Sequence, residues 1–144
     1  MKKMDYDPQL AERVWKRVQG CDTEVIPLEE MIAREWLDSS ICLKLAQRCG
    51  GKKQVLLRRV GQEKREHVRC LKGIGYMRTG SVPRVVKPPL VGLDLAECCR
   101  NIQQCESCYR NMMKDSEYGK EFAILADNAA RHSRMLLPFL VEEK

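Results

Sequence analysis

Lys64-Arg65-Glu66-His67 and Ala129-Ala130-Arg131-His132 are the stretches from which the fold is read. Each lies late in a long helical pattern, and each ends in one of the chain's two histidines. Working back from either histidine reaches a second helical pattern at nearly the same distance. The separation is 32 residues from Glu35 to His67 and 30 from Ile102 to His132. A helical hairpin is therefore written twice, and each hairpin sets a residue of its first helix against the histidine of its second.

In the first hairpin, a helix from about Leu28 to Arg48 carries Ile32, Glu35, Ser39, Cys42, Ala46 and Cys49 on one stripe, stepping by three and four. A carboxylate on a stripe of small and apolar residues is its anomaly. Gly50-Gly51 turns the chain. The next helix, about Lys53 to Met77, places Val55 or Leu56, Val60, Lys64, His67, Leu71 and Ile74 inward. Lys64 and His67, at i and i+3, look inward together.

Residues 80–92 (GSVPRVVKPPLVG) are too rich in proline and glycine for a helix. Thirteen extended residues at about 3.1 Å each reach about 40 Å, whereas a helix of about 25 residues is about 37 Å long. This connection can span a bundle end to end, so the helices on either side of it are expected to run parallel, joined by a crossover. The second hairpin follows. One helix, about Leu93 to Lys114, has Leu95, Cys98 or Cys99, Ile102, Cys105 or Glu106, Tyr109 and Met112 or Met113 inside. Asp115-Ser116 breaks it and caps the last helix. That helix, about Ser116 to Val141, turns Phe122, Leu125, Ala129, His132, Met135 or Leu136, and Phe139 inward, with Pro138 expected to kink its final turn. Ahead of the hairpins, Asp7-Pro8 opens a short helix that ends at Gly20. The expected architecture is all-α: an N-terminal helix and loop over residues 1–27, then one four-helix domain over 28–144.

Composition agrees with that reading and narrows the function. The chain has 144 residues, enough for one sizeable core. Its eight cysteines would suggest a disulfide framework in a small secreted protein. The helical pattern argues otherwise, as does an N-terminus (MKKMDYDP) with no apolar run behind its lysines. A cytoplasmic, reducing setting is the expectation, with the cysteines as small buried hydrophobes or free thiols. No run of about 18 apolar residues exists, so no membrane partner is expected. The net charge of +6 comes from basic residues scattered among acidic ones, with no aromatic-interleaved strip, so nucleic acid is not an expected partner either.

The segments ERVWKRVQ, EWLDSSICLKLAQR, EKREHVRCLKGI and CESCYRNMMKDSEYGKEFAILADNAARHS resemble the rubrerythrin-type branch of the ferritin-like superfamily, its small bacterial members in particular. The resemblance covers residues 7–141. It implies a di-iron site in the bundle centre, with one Glu from the first helix of each hairpin and a Glu-x-x-His from each second helix. Glu35 matches the first Glu, and His67 and His132 match the histidines. Three positions depart: Lys64, Ala129 and Ile102 stand where the family has Glu. Four carboxylates would neutralise two divalent irons, but here the shell becomes Glu35 with Lys64, formally uncharged. Nor does the chain carry the paired Cys-x-x-Cys knuckles of a rubredoxin domain.

The site is accordingly read as degenerate. Glu35 and Lys64 form a site-filling ion pair, and no cofactor is expected. Such a protein would act as a non-catalytic binding or structural module, homo-oligomeric through its helix faces, with its protein partner unspecified. The alternative is a metal-binding oxidoreductase of peroxidase or ferroxidase type with non-standard ligands. It would hold two irons, or one iron or zinc on Glu35, His67 and His132 with help from Glu63 or Cys42. The Cys105-x-x-Cys108 pair, alone on a helix, lacks zinc-ribbon geometry.

Overall fold

The computed structural model describes residues 27–85, 94–115 and 117–142. The helix expected over residues 7–20 lies outside them, as do residues 86–92 of the connection and Ser116. The described residues form an all-α four-helix bundle: α1 Leu28–Gln47, α2 Gly51–Thr79, α3 Leu95–Met112 and α4 Gly119–Glu142.

Local chemistry sets the helix ends. The carbonyl of Pro27 accepts from the amides of Glu30 and Met31 at the start of α1, where Glu29 and Glu30 complement the positive end of the helix dipole. Gly51 adopts a φ of 63° in the turn into α2, a conformation that favours glycine. Gly80 (φ 79°) closes α2 as a left-handed cap, its amide donating to the Tyr76 carbonyl at 2.7 Å. Asp94 caps α3 by accepting from the Ala96 amide at 2.9 Å. Asp115 accepts from the amides of Glu117 and Tyr118, both at 2.8 Å, ahead of α4, and its other oxygen meets Arg78 of α2. α4 continues through Pro138 to Glu142.

Contacts between the helices fix their directions. Ser39 meets Gly61, and Glu35 meets Lys64 and His67, so α1 and α2 are antiparallel. Cys42 meets Cys98, Asp38 meets Asn101, and Glu35 meets Tyr109, so α1 and α3 are antiparallel too. Glu63 meets His132, His67 meets Asn128, and Arg78 meets Asp115, which sets α4 against α2. It follows that α2 and α3 point the same way. α1 packs on α2 and α3, and α4 on α3 and α2.

The core divides into two apolar clusters. One gathers Met31, Ile32, Leu71, Ile74, Tyr109 and Phe122 around the end where α1 begins. The other gathers Ile41, Leu57, Leu95, Ile102, Leu136 and Phe139 toward the opposite end. Leu57, rather than Val55 or Leu56, supplies the first fully buried apolar contact of α2; Val55 is exposed. Between the clusters lies a polar layer formed by Glu35, Asp38, Ser39, Lys64, His67 and His132, every one of them buried. α1 and α2 approach closely beside this layer. A Cβ at Gly61 would stand 2.7 Å from Leu43 Cγ and 3.2 Å from the Ser39 carbonyl. The Ser39 hydroxyl uses that proximity to donate to the Gly61 carbonyl at 2.7 Å. Among the described residues, no helix is long and apolar enough to cross a membrane.

A buried ion-pair centre as candidate functional site

Glu35 is the hub of the polar layer. It sits on the inner stripe of α1, fully buried, and three side chains converge on its carboxylate. From α2, the Lys64 ammonium donates to Oε1 at 2.5 Å. One turn further along α2, His67 Nδ1 lies 2.5 Å from Oε2. From α3, the Tyr109 hydroxyl donates to Oε2 at 2.9 Å. Both carboxylate oxygens are thus committed. Burial alone would raise the Glu35 pKa, but Lys64 and then His67 outweigh it and hold the carboxyl at about 2. Burial works to lower the Lys64 pKa, and the charges of Glu35 and Asp38 overcome it and drive it upward. The pair is ionised in the bundle interior.

Asp38 stands one turn beyond Glu35 and behaves differently. Its Oδ1 accepts from Asn101 of α3 at 3.3 Å, while Oδ2 has no hydrogen-bond partner and lies 3.8 Å from Lys64 Nζ. Burial pushes its pKa up to about 7, only partly offset by Lys64 and reinforced by the neighbouring Glu35 charge. Cys105 of α3 approaches the same place: Glu35, Asp38 and Cys105 offer donor atoms that all lie within 4.8 Å of one another. Burial, and then the charge of Glu35, raises the Cys105 thiol, so it stays protonated. Tyr109 is raised by burial and by Glu35, so its hydroxyl keeps the proton it donates.

The two histidines stack, with ring centroids 5.6 Å apart, but serve different partners. His67 Nε2 faces Asn128 Nδ2 at 3.2 Å. The Asn128 oxygen accepts from Arg131 at 3.1 Å, which orients the amide so that its NH2 donates to His67. The proton of His67 is then on Nδ1, directed at Glu35. His132 Nε2 instead lies 2.7 Å from Glu63 Oε1, while its buried Nδ1 has no partner. Burial first, then the nearby Lys64 charge, lowers the His132 pKa to about 4 despite Glu63. Glu63 also receives Arg131 at 2.9 Å and Arg59 at 3.1 Å. Burial would raise its pKa, but His132 and these two arginines bring it down to about 2.

The sequence-derived candidates therefore separate into two groups. Glu35, Lys64 and His67 come together at one carboxylate. His132 and Glu63 form a second pair, linked to the first by ring stacking and by the hydrogen-bonded chain through Asn128 and Arg131. Cys42 turns away from both toward Cys98. Sequence reading missed Asp38, Asn101 and Asn128, and did not give Tyr109 its polar role. Asp38 had a signal, since i+3 from Glu35 puts it on the edge of the buried stripe.

The donor set does not fit two irons. Ala129 and Ile102, at two of the expected carboxylate positions, are fully buried within an apolar cluster. The third position presents an ammonium group to the remaining carboxylate. Among the described residues, the cluster of potential metal donors is Glu35, Asp38 and Cys105, and it includes neither histidine. What the centre can do chemically is hold a charge pair in a low-dielectric interior and bind three helices to one carboxylate. No family model matches the chain, and no curated protein or solved structure matches it either.

Proposed function

We propose that this chain is a ferritin-like protein of rubrerythrin type in which an internal cation, Lys64, has taken the electrostatic place of the metal, leaving a non-catalytic binding or structural module. The observation that carries the reading is the Lys64 ammonium, fully buried and 2.5 Å from Glu35 Oε1. An ammonium in that position balances the carboxylate as a cation would and repels a divalent ion. It offers no labile coordination site, which oxygen or peroxide chemistry needs. Two further features support the reading: both Glu35 oxygens are engaged, and the other expected carboxylate positions are apolar. A module of this kind would present its helix faces to copies of itself or to a protein partner.

The test is elemental analysis after anaerobic loading with iron(II) and, separately, with zinc(II), on the wild type and on Lys64→Glu, together with a peroxide-consumption assay. The reading expects less than one bound ion per wild-type chain and no turnover above free iron. Two irons per chain with turnover would restore the oxidative enzyme. One ion lost on His67→Ala would establish the mononuclear alternative.

A further inference from the structure

Seven of the cysteines lie among the described residues, and Cys42, Cys98, Cys99, Cys105 and Cys108 are buried. The ion-pair centre uses only Cys105, and only as a neighbour. Cys42 on α1 and Cys98 on α3 face each other across the contact between the two hairpins. Their sulfurs are 3.6 Å apart, and both side chains are at 0% exposure. Around them is the apolar cluster that includes Ile41, Leu57, Leu95 and Ile102.

We propose that Cys42 and Cys98 form a two-thiolate binding site for copper(I). Metal–thiolate bonds of about 2.3 Å keep two sulfurs on one ion within about 4.6 Å of each other. The observed 3.6 Å already falls inside that limit, so an ion enters with a widening of at most about 1 Å. Among the described residues, no third Cys, His or carboxylate donor lies within 4.8 Å of both sulfurs. A pair of thiolates on its own suits some metals better than others. Zinc requires four ligands in a closed structural site. A soft monovalent ion that accepts thiolates at low coordination number does not, and copper(I) is the biological ion of that kind.

The binding step balances without redox change. Cys42 and Cys98 each release a proton to solvent, two sulfur–copper bonds form, and the copper remains in the +1 state. The resulting site carries one net negative charge. The hydrogen bond to Cys42, burial and the Asp38 charge all raise the Cys98 thiol, and the Lys64 ammonium opposes them only in part, so copper binding has to displace a proton that the empty site holds. The apolar lining excludes water and hard cations. This inference is independent of the ion-pair reading, since neither thiol touches Glu35 or Lys64 in a hydrogen bond among the described residues.

The experiment is anaerobic titration of the full chain with copper(I) buffered by bicinchoninate, combined with X-ray absorption at the copper edge. The expected result is one copper(I) per chain held against the competitor, with two sulfur neighbours and no nitrogen or oxygen. Cys42→Ser and Cys98→Ser should each weaken binding by more than about 100-fold. Cys70→Ser, on the half-buried face of α2, should leave it unchanged. Wild-type copper binding in the Cys42→Ser/Cys98→Ser chain would overturn the assignment. So would a wild type that holds no copper, or one whose copper has three or more sulfur neighbours. The absorption measurement decides the matter on the wild type alone if a serine variant loses its helical circular dichroism.

Discussion

Replacing Lys64 with methionine keeps the volume of the side chain and deletes its charge, leaving Glu35 buried with only His67 and Tyr109 against it. Two unit charges 2.5 Å apart attract by roughly 6–7 kcal/mol at an effective dielectric of about 20. Desolvation of the pair cancels much of this in the wild type, so the pair itself adds little net stability. Removing one partner is a different matter, because the desolvation of the other is then uncompensated. The expected cost is about 3–5 kcal/mol. At roughly 2–4 °C per kcal/mol for a chain near this size, the melting temperature should drop on the order of 10 °C. Urea unfolding followed by circular dichroism measures the free energy directly. The second half of the prediction is the Glu35→Gln/Lys64→Met double variant, which removes both charges and should recover most of the loss. A Lys64→Met cost below about 1 kcal/mol, or a double variant no more stable than the single one, would refute the reasoning, since either result means that Glu35 is not held as a buried charge by Lys64.

Asp38 gives a prediction of opposite sign with pH. Its folded pKa is raised from 3.8 to about 7, so this group favours folding below its unfolded value and loses that contribution as pH rises through about 7. Asp38→Asn should therefore be more stable than the wild type at about pH 8, with the advantage gone near pH 4. Urea midpoints at the two values check it, and a pH-independent difference would count against it. His132 and Glu35 set the acid limb. Both folded pKa values are depressed, from 6.5 to about 4 and from 4.5 to about 2, so their contributions are present at neutral pH and are lost successively as pH falls through those windows. Acid unfolding monitored by circular dichroism should accordingly begin later in His132→Gln than in the wild type. Tyr109→Phe deletes a buried hydrogen bond to a charged acceptor and should cost about 1.5–3 kcal/mol in denaturant titration, with no change in helix content. Gly61→Ala adds a methyl against Leu43 and the Ser39 carbonyl. The clash, about 1–3 kcal/mol, should outweigh the helix-propensity gain of about 1 kcal/mol, which thermal melting would show as a lowered midpoint.

The helices were legible in the sequence because apolar residues recur at helical spacing and the breaks are marked by chemistry of their own. Gly50-Gly51, Gly80 and Asp115 each sit at an observed helix end, whereas the Asp94 cap that starts α3 two residues after the expected Leu93 is not singled out by spacing. Ile32, Glu35, Ser39, Cys42 and Ala46 fall on one inner stripe by spacing alone, because i, i+3, i+4 steps are a property of the helix itself. At the start of α2 the same reasoning left Val55 and Leu56 as the inward choice and passed over Leu57. Lys52, Lys53, Arg58 and Arg59 surround these residues and blur the apolar face. Periodicity places a residue on a face without saying which atoms meet across it. The split of the histidines between Glu35 and Glu63 depends on the axial offset of α4 against α2, and no spacing along one helix encodes that. For the same reason Asn128, which looks like an ordinary polar residue in the sequence, joins the centre only once α4 is packed against α2.

The charge state of the Glu35–Lys64 pair can be read directly by nitrogen-15 NMR of the lysine side chains at neutral pH. A buried ammonium held by a carboxylate should give one Lys Nζ resonance at the charged-amine shift, with protons exchanging slowly enough to observe and contacts to Glu35. That resonance should vanish in Lys64→Met and stay unchanged when iron(II) or zinc(II) is added. A neutral-amine shift for Lys64, or a Lys64 signal displaced by either metal, would contradict the account.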